Sequence, residues 1–166
     1  MTQYFGKYRG TVVNNIDPLQ TARIQVSVPA VLGQGQLSWA MPCVPLAGQQ
    51  TGVYLVPTIG SNVWVEFEGG DPDYPIYAGG FWSPGEVPAL ALAGLPTSPS
   101  IVLQTSGRNS ISISDVPGAG GLMLRSASGA MITVNETGIV ITNGQGATIT
   151  LTGPTIDLNG GALTIV

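Results

Sequence analysis

Over residues 101–166 an apolar-x-apolar doublet recurs eight times, with Gly, Ser, Thr and Asn between the copies. The doublets are Ile101/Leu103, Ile111/Ile113, Leu122/Leu124, Ile132/Val134, Ile139/Ile141, Ile149/Leu151, Ile156/Leu158 and Leu163/Ile165, and successive copies begin 10, 11, 10, 7, 10, 7 and 7 residues apart. Each copy alternates with period two, as in Ser110-Ile111-Ser112-Ile113-Ser114, which predicts short strands with one apolar and one hydroxyl face. Such a strand cannot bury its apolar face alone, so the copies must stack as a β-solenoid. At about three strands per coil, one chain would close fewer than three coils, too little core for independent stability. Three chains around a common axis remove the difficulty: each supplies one face of a triangular prism, the doublets meet inside, and strand edges pair with neighbouring chains. The tract is therefore expected to be an intertwined trimeric β-helix needle, on the order of 40 Å long at ~4.8 Å per strand. Its expected trimer core is Ile111, Ile113, Leu122, Leu124, Ile132, Val134, Ile139, Ile141, Ile149, Leu151, Ile156 and Leu158.

Residues 4–82 read as all-β, with short strands bounded by turn formers. A first strand is expected over 4–13, ended by Asn14-Asn15-Ile16-Asp17-Pro18. In the second, Ala22, Ile24, Val26 and Val28 face one way until Pro29 stops it. A third is expected over 38–46, made irregular by Pro42 and Pro45, and 48–55 reads as a loop. In the clearest strand, 61–68, Val63, Val65 and Phe67 point inward while Trp64, Glu66 and Glu68 point outward. Gly69-Gly70-Asp71-Pro72 returns the chain over 76–82. Five strands in this length suit a closed oligonucleotide/oligosaccharide-binding (OB) barrel. The expected architecture is all-β: a five-stranded OB barrel over 1–83, a Pro-rich linker over 84–100 and the needle over 101–166.

Composition narrows the chemistry. Only 8% of residues are charged and there is no His, which removes the commonest general base and metal ligand together. The single Cys43 excludes an intrachain disulfide, and its neighbours Met41, Val44 and Leu46 predict a packed core thiol. A net charge of -4 argues against nucleic-acid recognition, and so does a barrel whose only basic residues are Lys7, Arg9 and Arg23. Glu66 and Glu68 at i and i+2 would share a strand face near Asp71 and Asp73, a pattern open to glycoside hydrolysis or calcium binding. A solvated strand face followed by a turn is the plainer reading. Aromatics Trp64, Tyr74, Tyr77 and Trp82 are expected to pack the barrel or its contacts with other subunits. Gly118-Ala119-Gly120-Gly121 lacks the Lys of a phosphate loop and reads as a turn. No catalytic residue, metal or cofactor is expected, and the N-terminus lacks the apolar core of a signal peptide.

Residues 57–80, from Pro57-Thr58-Ile59-Gly60 through Val63-Trp64-Val65-Glu66-Phe67-Glu68-Gly69-Gly70-Asp71-Pro72 to Ala78-Gly79-Gly80, resemble the core motif of the phage baseplate assembly protein V family. That family is related to the central spikes of contractile tails and to the valine-glycine repeat spikes of type VI secretion. Tyr8-Arg9-Gly10-Thr11-Val12-Val13 and Ala22-Arg23-Ile24-Gln25-Val26 resemble its opening strands. The likeness implies a structural, non-enzymatic spike that punctures an envelope and plugs the tail tube. It also implies a virion tail baseplate or tail-like particle, made in the host cytoplasm, and transient contact with the target membrane. The large N-terminal hub region of type VI spikes is absent from the sequence, so the hub is expected to be a separate protein at the barrel end. The lysozyme domain of some phage spikes has no room in 84–100.

The needle carries only Arg108, Asp115, Arg125, Glu136 and Asp157 as charges, which suits either a fibre stem or a piercing shaft, because charge is costly in lipid. A trimeric fibre or carbohydrate-binding module is the alternative. The absence of Trp, Tyr and Phe from 101 onward disfavours it. Some spikes of the family end in His-x-His iron sites, which a chain without His cannot form. The final strand, Ala162-Leu163-Thr164-Ile165-Val166, is instead expected to present a blunt apolar face. A small tip protein of the proline-alanine-alanine-arginine kind is expected to cap it through Leu163, Ile165 and Val166.

Overall fold

The computed structural model describes residues 2–94, 96–118 and 120–165. They form two compact units, 1–85 and 86–166. In the first are β1 (Tyr8–Asn14), β2 (Ile24–Ser27), a one-turn helix α1 (Pro29–Leu32), β3 (Leu37–Pro42), β4 (Ala47–Gly48), β5 (Thr51–Gly52), β6 (Asn62–Phe67) and β7 (Pro75–Phe81). Five of the strands close a barrel in the order β1-β2-β3-β7-β6. All its pairings are antiparallel except β3 with β7, where Met41 and Pro42 lie beside Ile76 and Tyr77 in parallel. The closure is that of an OB barrel.

The period-two pattern explains the interior. Val12, Ile24, Val26, Val28, Ala40, Val63, Val65, Phe67 and Tyr77 form one buried cluster, and full burial of such side chains is worth ~1.5–3 kcal/mol each. Gly10 is required within this interior, because a Cβ there would lie 2.9 Å from Val65 Cγ2 and 3.3 Å from Val28 Cγ2. Tyr77 brings a hydroxyl into the core and satisfies it by donating to the Ala22 carbonyl at 2.7 Å. Desolvation by burial pushes its phenol pKa up.

Several local expectations are corrected. β1 starts at Tyr8 rather than at residue 4, because Gly6 adopts φ +94° and breaks the extended run. Tyr4 is held instead by its N–H to the Gly70 carbonyl and by packing on Tyr8 and Phe67. Pro29 does end β2, but it does so as the first residue of α1. β3 stops at Pro42, so Cys43 is exposed and is not a core thiol. Of the apolar neighbours that suggested burial, Met41 and Leu46 are themselves exposed and Val44 is half-buried as the chain leaves the barrel. The expected loop at 48–55 contains one strand of a small hairpin, β4 with β5.

The second unit opens with a short helix α2 (Ala89–Leu92). It continues as β8 (Ile101–Gln104), β9 (Ser110–Ser114), β10 (Gly121–Arg125), β11 (Met131–Asn135), β12 (Gly138–Thr142), β13 (Thr148–Thr152), β14 (Thr155–Leu158) and β15 (Leu163–Ile165). These make one eight-stranded antiparallel meander in sequence order. Consecutive strands pair within the chain, which corrects the expectation that each strand edge pairs with another chain. The connections are too short for anything but adjacent antiparallel strands.

Candidate functional site

The carboxylate pair considered from the sequence is not assembled. Glu66 lies on β6 and its side chain pairs with Lys7, whereas Glu68 leaves the strand as the first residue of a 3₁₀ turn (Glu68–Gly70). Asp71 uses its carboxylate to cap the Asp73 N–H at 3.0 Å. Among the described residues no group of three or more His, Cys, Asp or Glu side chains could hold a metal ion. Of the aromatics, Tyr77 lies in the barrel core, Tyr74 and Trp82 are exposed, and Trp64 packs on Phe81 with ring centroids 4.6 Å apart, with the Arg9 guanidinium over both rings.

The most ordered polar cluster of the barrel is structural. Asp17 accepts from the Leu19, Thr21 and Arg23 N–H groups and from the Thr21 hydroxyl, and it receives Arg23 Nε at 3.1 Å and Nη2 at 2.8 Å. The Arg23 guanidinium, which gives both Nε and Nη2 to Oδ1 and is opposed only in part by desolvation, holds the carboxyl well below the usual range. Arg23 also lies over Trp39. The network pins the loop from β1 to β2.

The chemistry of the second unit lies in a face. Register places the doublets in two unbroken rows across all eight strands. One row runs Ile101, Ile113, Leu122, Val134, Ile139, Leu151, Ile156, Ile165. The other runs Leu103, Ile111, Leu124, Ile132, Ile141, Ile149, Leu158, Leu163. All twelve expected core residues are brought together here, with Leu163 and Ile165 in the last strand and Ile101 and Leu103 in the first. Val166 lies outside the described residues. Thirteen of these sixteen side chains are 38–65% exposed, while Ile139, Leu151 and Leu158 are half-buried. The opposite face carries Ser112, Thr133 and Thr150 beside Val102, Met123 and Val140, all half-buried. A soluble protein rarely exposes a contiguous apolar patch beyond a few hundred Å². With eight strands at ~4.8 Å and doublet residues ~7 Å apart, the two rows alone cover about 270 Å² in projection, before the width of the side chains is added.

The turns fix this register. Asn135 Oδ1 accepts from the Thr137 and Gly138 N–H groups, and Asn143 Oδ1 accepts from those of Gln145 and Ala147. Gly138 has φ +145°, and a Cβ there would lie 2.0 Å from the Leu151 carbonyl oxygen, so no other residue fits.

Because the sheet is a meander, its connections fall alternately on two margins. Loops of four or five residues at 105–109, 126–130, 143–147 and 159–162 occupy one, the long-loop margin, and the two-residue turns at 136–137 and 153–154 occupy the other together with the six-residue 115–120 connection. The long loops are tied into a column: the Ala127 N–H donates to Asn109 Oδ1 at 3.0 Å, the Thr148 N–H to Asn159 Oδ1 at 2.9 Å, and Gly144 lies against Gly129. The other margin holds a cleft of about 350 Å³ lined by Asp115, Val116, Gly120, Asn135, Glu136 and Thr137, among others. Arg108 and Arg125 fall at the first margin and Asp115 and Glu136 at the second, where the sequence alone marks them only as sparse charges. Their signal was position, since each falls at a strand end or in a turn.

Two family models match the chain. Residues 8–82 match the type VI secretion system/phage-baseplate injector OB domain, and residues 100–164 match the phage baseplate V C-terminal trimerisation domain. A search of the curated proteins finds no match.

Proposed function

The chain belongs to the phage baseplate V family, and we propose that it is the central spike of a contractile phage tail or tail-like injection particle. In this reading three copies join through the sheet of the second unit, apolar faces inward, as a three-sided β-helical needle. Residues 1–83 form the platform, 84–100 the linker and 101–166 the needle. The observation that carries the reading is the double row of doublets, which the described residues of the second unit leave exposed and which lies inside the segment that matches a trimerisation domain.

The work of such a spike is mechanical. Ladder hydrogen bonds along eight strands and a core closed by three faces give a stiff shaft, and five charges in 66 residues limit the desolvation cost of crossing lipid. At rest the same shaft plugs the tube. No catalysis is needed: the barrel assembles no acid pair, and the matched domains are structural ones. The barrel seats on a separate hub protein. At the far end, the exposed Leu163 and Ile165 of β15 offer a small apolar surface for a tip protein. Cross-linking in purified particles tests the reading. Barrel residues are expected to link to a hub protein and β15 to a tip protein, and absence of the chain from the particle would overturn the proposal.

A further inference from the structure

Four of the five charges of the sheet are sorted by margin, while the fifth, Asp157, lies on β14 with its carboxylate accepting the Gly161 N–H of the 159–162 loop. Arg108 and Arg125 lie at the long-loop margin, Asp115 and Glu136 at the other, and all four are exposed. Among the described residues neither of the two ion pairs uses any of them. Within one chain they cannot meet across the sheet, because a five-residue strand separates the margins by on the order of 17 Å. Over β8 to β12 the sheet keeps Arg108 and Arg125 on one side and Asp115 and Glu136 on the other, and this part of it is complementary to a second copy of itself, turned so that unlike margins meet.

The levels also match. Long loops stand between β8 and β9, β10 and β11, β12 and β13, and β14 and β15. The opposite margin has its connections at the intervening levels, so the loops of one margin fall at the gaps of the other. The cleft between the 115–120 connection and the 136–137 turn lies at the level of β10 and β11. That is the level of the 126–130 loop and of Arg125, which ends β10.

We propose that the acidic cleft is the seat for the 126–130 loop and Arg125 of the next copy around the three-fold axis. The contact is heterologous: each chain offers its loop to one neighbour and its cleft to the other, and three such contacts close the ring. Apolar doublets drive association without direction, whereas the margins set which way the chains follow one another and at what height they align. This inference rests on the trimeric reading above, but it concerns the corners of the prism rather than its core.

Full-length protein with Cys43→Ser as background separates the two. Ser128→Cys with Glu136→Cys in the same chain, oxidised and run on a non-reducing gel, is expected to give covalent trimers, and either substitution alone is expected to give none. Disulfide dimers from the single variants would mean that like margins meet, and would overturn the proposal. A second measurement does not depend on thiol geometry. Arg125→Glu is expected to lower the thermal unfolding midpoint of the trimer by several degrees, and adding Glu136→Arg should recover most of the loss. If both variants are trimeric by light scattering, yet the doubly substituted chain does not cross-link and the charge exchange recovers nothing, the corner contact is wrong while the trimer stands. A monomeric parent protein would instead remove the trimeric reading itself.

Discussion

Replacing Ile141 by Asp places one carboxylate per chain in the middle of the proposed needle. Ile141 lies on β12 between Ile132 and Ile149 in the register and is 38% exposed in the single chain. Burying a whole Ile is worth ~1.5–3 kcal/mol, so covering the remaining surface contributes ~1 kcal/mol per chain and ~3 kcal/mol per trimer. The larger effect is electrostatic. Three carboxylates at the ~6 Å spacing of packed core side chains repel by ~3 kcal/mol per pair at an effective dielectric of 20, or ~8 kcal/mol for the three pairs, before any desolvation cost. The trimer is therefore expected to be lost at pH 7. Both burial and like charges favour the neutral acid, so the introduced group has a raised pKa in the assembly. Its penalty is absent below the ordinary carboxyl value and appears as pH rises through the raised one. Association of Ile141→Asp measured by light scattering should accordingly recover in acid. Val140→Asp is the control: the same strand, the opposite face, and charges directed away from the axis. An Ile141→Asp protein that stays trimeric at pH 7, melting within a few degrees of the parent, would refute the inward packing of the doublets.

A chain ending at Ser83 should remain a folded barrel yet run as a monomer on gel filtration, since the apolar rows all lie beyond it. Asp17 contributes stability that is fully present above its unfolded value of ~3.9 and fades as pH falls toward its lowered folded value. Asp17→Asn should thus reduce the melting temperature of that barrel at pH 7 and flatten its dependence on pH below ~5, and unchanged melting would contradict the role of the network. Leu163→Ser with Ile165→Ser should leave the trimer intact while particles lose their tip protein and their killing or infectivity. Pure protein should release no product from peptidoglycan, and activity abolished by Glu66→Gln would contradict the structural reading.

The barrel was legible wherever alternation was undisturbed. The inward sets Ile24/Val26/Val28 and Val63/Val65/Phe67 follow directly from period two, because one polar residue between two apolar ones can only face the other way. Errors gathered where Pro and Gly interrupt that pattern. Cys43 looked buried from its apolar neighbours, but Pro42 had already ended the strand, and Met41 and Leu46 are exposed with it. Glu66 and Glu68 looked like a pair because the expected strand ran one residue too far, to Glu68, which begins the 3₁₀ turn. In the second unit the doublets marked strands and face correctly. The mode of pairing depended on turn length: spacings of 7 leave room for two- to four-residue connections, which join neighbouring antiparallel strands. The sorting of Arg125 and Glu136 to opposite margins was out of reach without that topology, since which end of a strand a residue occupies becomes a side of the sheet only once the meander is known.

The central claim is that the exposed doublet face is the inside of a trimer. The most direct measurement is the solution mass of the full chain by light scattering, with and without residues 101–166. The account predicts three times the 17.0 kDa chain mass for the full protein and a monomer without the sheet. A soluble full-length monomer, or a trimer that survives loss of the sheet, would contradict it.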